Sequence, residues 1–250
     1  MHYKYNPEET AIIILGDVGL NVNLDKNDWY RKRSLDKYGF NIYCIRGNHE
    51  YSPNQIYSYD VRQMTLDYKR LGYTNIEYQP TLEYGRDTEV DGAVFIETEF
   101  PKIRYLEDGE RYNINGNKTL ILGGAYSIDA EYRKSIGAMW NSEEQIPEGR
   151  RKAIIVETLM NPQVDLVLSH TCPLDWRPTD LFLKQIDQSK VDTTTETFLQ
   201  DIEKIIHPYY KAWCWGHFHE TRWYNNTKEY PMQNRIMIYN DFIPLEEIVN

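Results

Sequence analysis

The chain has 250 residues, 41% apolar and 26% charged, with a formal net charge of −10. That is enough chain to bury one α/β core, and it excludes a low-hydrophobicity disordered protein. The longest aliphatic run, Ala11 to Leu15, is far short of the roughly 20 residues that span a bilayer, and no basic segment is available to neutralise a nucleic-acid backbone.

The N-terminal segment carries no basic-plus-apolar leader, so a cytoplasmic protein without membrane attachment is expected. Cys44, Cys172 and Cys214 are an odd number with no CxxC pair, which argues against a disulfide framework or a zinc knuckle. They are expected to be buried thiols.

In chain order, Ala11 to Leu15 predicts a strand closed by Gly16-Asp17, and residues 26–38 predict a helix. Phe40 to Ile45 predicts a second strand closed by Gly47-Asn48. Two apolar runs joined by a helix predict a parallel, right-handed β-α-β unit. Residues 52–90 are less readable, with a predicted helix from Tyr59 to Leu71 stopped by Gly72.

Ala93 to Ile96, Ile103 to Leu106, Arg111 to Ile114 and Thr119 to Leu122 read as a meander. Its turns are marked by Glu107-Asp108-Gly109-Glu110 and Asn115-Gly116-Asn117. The acidic, Tyr-rich stretch 76–112 reads as a solvated face or lid. Helices are predicted from near Ile128, over 148–160, and from Asp192 (as a candidate N-cap) to Ile206. Val164 to Leu168, Ala212 to Trp215 and Arg235 to Tyr239 predict three more strands. With no repeat or composition break, the whole chain reads as one domain, with strands in both halves making two packed sheets with helices outside.

Four of the six histidines, His49, His170, His217 and His219, stand just after predicted strands, and Asp17 and Asn48 close two strands as well. In open α/β folds the carboxyl ends of the strands are where sites form. A carboxylate, an amide oxygen and imidazoles suit a borderline divalent ion. His2 and His207 read as terminal or surface residues, and Tyr126, Asp129 and Arg133 as structural, with binding of a substrate phosphate or ring as the alternative.

GDVG at 16–19, GNHE at 47–50, SH at 169–170 and GHFH at 216–219 resemble, in this order, the motifs of the calcineurin-like metallophosphoesterase family. The GGAYS segment at 123–127 and SHTCP at 169–173 are similar to a bacterial and phage branch of it. The resemblance covers nearly all the chain and implies an α/β/β/α sandwich of two mixed sheets flanked by helices. It implies a metal-dependent phosphoesterase acting on phosphomonoesters or phosphodiesters. Asp17 would bridge two metals, Asn48, His170 and His217 would complete the second metal site, and His219 would bind the first. His49 would contact the phosphate and assist the leaving group.

Manganese is the expected metal, with iron, zinc or nickel as alternatives. The partner expected is a small phosphate ester; oligomeric state is not read. The family's opening D-x-H motif has no counterpart before Gly16. The expectation is therefore a missing first strand, a chain that is a fragment of a longer gene product, and one metal in place of two. A non-catalytic metal- or nucleotide-binding member of the fold is the competing function, followed by a nuclease, which the charge disfavours. Serine or cysteine hydrolase chemistry has no GxSxG elbow to support it.

Overall fold

Strand β1 (Ala11–Ile14), helix α1 (Lys26–Asp36) and strand β2 (Asn41–Cys44) follow one another as expected, with β1 and β2 parallel and Ile12 opposite Ile42. Asp25 starts α1 by accepting the backbone N–H groups of Asn27 and Asp28, which the first turn would otherwise leave unpaired. The computed structural model describes residues 5–58, 80–137, 140–141, 143–224 and 233–249. The predicted helix from Tyr59 to Leu71 and His2 lie outside these residues.

Beyond the short helix α2 (Pro53–Tyr57) come β3 (Leu82–Asp87), β4 (Gly92–Glu97), β5 (Ile103–Leu106), β6 (Arg111–Ile114) and β7 (Asn117–Leu122). Helices α3 (Ala130–Ser135) and α4 (Glu148–Met160) precede β8 (Leu166–Ser169); α5 (Thr194–Ile206) precedes β9 (Ala212–Trp215). The described chain ends with β10 (Arg222–Trp223), β11 (Asn234–Met237) and α6 (Leu245–Val249).

Two mixed sheets result, ordered β1-β2-β5-β4-β3 and β10-β11-β9-β8-β7-β6. β1 is the edge of the first, with no strand on its outer side among the described residues. Alternation along the strands divides the core into three layers. Tyr43, Ile45, Val94 and Leu106 of the first sheet meet Ile121, Leu168, Cys214 and Ile236 of the second between the sheets. Ile42, Phe95 and Tyr105 face the other way, toward Trp29 and Leu35 of α1. Val167, Trp213 and Trp215 pack outward against Ile154 of α4 and Phe198 and Ile202 of α5. This is the expected α/β/β/α sandwich.

Three sequence expectations change. The run 93–122 is not one meander: β4 and β5 belong to the first sheet and β6 and β7 to the second, so Glu107 to Glu110 carries the chain from one sheet to the other. The turn signal was real, but Asp-Gly marks a change of direction and not which sheet receives the next strand. The described part of 76–112 is not a solvated face or lid, because Val94, Phe95, Tyr105 and Tyr112 in it are buried. Asp192 stands one position before the Thr193 cap of α5 and accepts the backbone N–H of Thr194. All three cysteines are buried and free.

Candidate metal centre

The carboxyl ends of β1, β2, β8 and β9 converge where Gly16-Asp17, Gly47-Asn48-His49, His170 and Gly216-His217 follow their strands. The approach is so close that side chains are excluded at two glycines. A Cβ on Gly16 would lie 2.2 Å from His170 Nδ1, and one on Gly47 would lie 2.1 Å from Asp17 Oδ1. Gly16, Asp17, His217 and His219 all take positive φ, so the backbone is held in sparsely populated conformations where the candidate donors sit.

Asp17 Oδ1 accepts the backbone N–H groups of Asn48 and His49, each at 3.0 Å, which locks the first loop to the second. Burial alone would raise the Asp17 pKa, but the charge and hydrogen bond of His170 and the His49 amide outweigh it and hold the carboxyl well below the usual range. Its second oxygen lies 3.5 Å from His170 Nε2.

His170 is buried, and its Nδ1 is 2.7 Å from the carbonyl oxygen of Leu15. A carbonyl only accepts, so Nδ1 carries the hydrogen. In the neutral ring the Nε2 lone pair then points at Asn48 Oδ1, 2.8 Å away. Asn48 Nδ2 is committed to Ser127 Oγ at 2.8 Å, which turns its oxygen inward. In that neutral state a ring nitrogen, an amide oxygen and a carboxylate oxygen face one another with no hydrogen between them. Only a cation relieves that arrangement. Without a metal the proton serves: burial lowers the His170 pKa, yet Asp17 more than offsets it and the net shift is upward.

His217 completes the group. Donor atoms of Asp17, His170 and His217 all lie within 4.8 Å of one another, and among the described residues this is the group of acids, histidines and cysteines with metal-ligand spacing. Burial first, and then the neighbouring His170, push the His217 pKa down to about 3, so its ring stays neutral with a lone pair to offer. Its ring stands edge-on to His170 with centroids 5.0 Å apart. The donor set fits a divalent ion.

The sequence model of the calcineurin-like phosphoesterases matches residues 2–221. The chain belongs to the calcineurin-like phosphoesterase family. A search of curated proteins found no match. The family is one of metal-dependent phosphoesterases, and no helix among this phosphoesterase's described residues is long and apolar enough to cross a membrane.

The structure places the remaining predicted residues less uniformly. His49 is half-buried and lines a small cleft with Asn48, Glu50, Arg133 and Asn141. His219 is exposed, outside the close donor group, and stacks on Tyr239 with centroids 4.9 Å apart. His207 lies elsewhere, paired with Glu203 at 2.8 Å. Burial and then the charge of Asp17 push the Glu50 carboxyl up to about 7 beneath the site. Sequence reasoning gave Ser127 no role, although its GGAYS segment was visible directly after β7. A cavity of about 750 Å³ lies away from this centre. It lies by the 175–180 segment, where Arg222 is already paired with Asp180 and Arg235 sits against the rings of Trp176 and Tyr224.

Proposed function

We propose that this phosphoesterase hydrolyses small phosphomonoesters or phosphodiesters using a divalent cation held by Asp17, Asn48, His170 and His217. The observation that carries the reading is the meeting of His170 Nε2, Asn48 Oδ1 and an Asp17 oxygen, three groups that each turn a lone pair toward the others when the imidazole is neutral. Manganese is the proposed ion, and iron, zinc or nickel suit the same donors. When bound, such an ion lowers the pKa of a water to make the nucleophile and draws charge from the phosphoryl oxygens.

The chain's own residues do the rest. Asp17 stays ionised and is fixed by two backbone N–H groups. Leu15 holds the His170 tautomer through its carbonyl. His49, on the half-buried rim of the cleft, is the proposed phosphate contact and proton donor to the leaving group. The net charge of −10 favours a small ester over a nucleic acid as substrate.

His219, stacked on Tyr239, is the proposed ligand of a second ion. Its position outside the donor group favours one ion over two, and supports as second reading a binding member of the family with impaired turnover. The test is turnover of p-nitrophenyl phosphate and bis(p-nitrophenyl) phosphate with manganese. The proposal predicts hydrolysis that disappears with EDTA and in Asp17→Ala. Hydrolysis indifferent to EDTA contradicts it. Metal binding without turnover, whatever the metal, supports the second reading.

A further inference from the structure

We infer that Ser127 is a positioning residue that holds the amide of Asn48 with its oxygen toward the cation; this rests on the metal centre proposed above. Asn48 is 1% exposed, so each polar atom of its side chain needs a partner inside the protein. Its oxygen faces His170, and its nitrogen donates to Ser127 Oγ at 2.8 Å. Ser127 is equally buried, and Oγ also accepts an N–H from Arg133 Nη2 at 2.9 Å. Both acceptor positions of the hydroxyl are thus filled by N–H donors. Arg133 is itself steadied by Asp129, 3.2 Å from its Nε.

The segment that carries Ser127 is fastened to the Asn48 loop at several further points. Gly124 N–H donates to the Arg46 carbonyl at 2.7 Å, and Arg46 Nη1 donates to the carbonyls of Glu143 and Glu144. Asn141 Nδ2 donates to the carbonyl of Glu50 and exchanges side-chain bonds with Gln55. The Ser127 backbone N–H is taken up by Glu144 at 3.1 Å. The hydroxyl therefore has a fixed address relative to Asn48.

Removing it leaves Asn48 Nδ2 buried with no acceptor. The amide recovers a hydrogen bond by turning over, so that Nδ2 donates to His170 Nε2. That orientation occupies the His170 lone pair and presents N–H groups where the cation would sit. Outer hydrogen bonds of this kind set metal affinity by about 10- to 100-fold.

The experiment is manganese titration of the full chain and its Ser127→Ala and Ser127→Thr variants. It is paired with NMR of the Asn48 side-chain NH₂ and thermal unfolding in EDTA. The inference predicts manganese affinity weakened about 10- to 100-fold in Ser127→Ala and restored in Ser127→Thr. It predicts shifted Asn48 NH₂ resonances, and no further loss from Ser127→Ala in an Asn48→Ala background. Unchanged affinity with unmoved resonances overturns it. So does a Ser127→Ala loss that persists in full in Asn48→Ala, or one accounted for by a lowered unfolding temperature without metal. Should the wild-type chain bind no manganese, the metal centre falls, while the NH₂ resonances still decide whether Ser127 positions Asn48.

Discussion

Gly16→Ala is the sharpest perturbation of the loop packing beneath the metal centre. At φ +89°, an alanine sits in the left-handed region, which costs about 1–2 kcal/mol. Its Cβ would also lie 2.2 Å from His170 Nδ1 and 2.9 Å from Gly47 Cα, so the ring or a backbone must move. Overpacking of this kind costs about 1–3 kcal/mol. The combined loss of about 2–5 kcal/mol is a large part of a typical net stability of about 5–15 kcal/mol.

Gly116→Ala is the matched control, with φ +79° and nothing within 4 Å of the added carbon, so it loses only the conformational part, about 1–2 kcal/mol. Urea unfolding in EDTA measures both, and manganese titration follows the site. Gly16→Ala is expected to be the less stable by about 1–3 kcal/mol and to bind manganese poorly because His170 has been displaced. Equal losses in the two variants, with manganese affinity retained in both, would refute the packing argument.

Other expectations concern buried ionisable groups outside the donor set. Lys32 and Glu97 are both fully buried and joined at 3.1 Å, so Lys32→Met leaves the Glu97 carboxylate without its buried cation, though still bonded by Tyr105, and should cost about 3–5 kcal/mol in urea unfolding. Glu196 is buried, bonded to the Thr171 hydroxyl, and its pKa is raised by burial above all. A raised folded-state pKa gives stability that is present in acid and lost as pH rises through it. The stability of wild type relative to Glu196→Gln should therefore fall from pH 4 to pH 8, followed by thermal unfolding; a difference that is flat or rises with pH contradicts the assignment.

Much of the sandwich could be read in the chain because apolar alternation and punctuation coincide: Ala11 to Ile14 and Asn41 to Cys44 are each followed by a Gly-polar turn. The family motifs named Asp17, Asn48, His170 and His217 before their convergence could be seen. What stayed hidden depends on partners distant in sequence. β3 reads LEYGRD, with no apolar period, and becomes a strand because β4 pairs with it. β10 is two residues long, too short for any periodic signal. Asp28 and Lys32 look like the solvated face of α1 but are buried, Lys32 by virtue of Glu97 and Asn21. Ser127 meets Asn48 across 79 residues, a pairing that no local pattern encodes.

The most direct test of the metal centre is metal content per chain, measured by elemental analysis after manganese loading and gel filtration, for wild type and Asp17→Ala. The account predicts about one ion per wild-type chain and close to none in Asp17→Ala, because the ion takes the place of the proton among the donors at the strand ends and Asp17 supplies the charge that holds it. A wild-type chain that retains no ion, or an Asp17→Ala chain that retains as much as wild type, would contradict it.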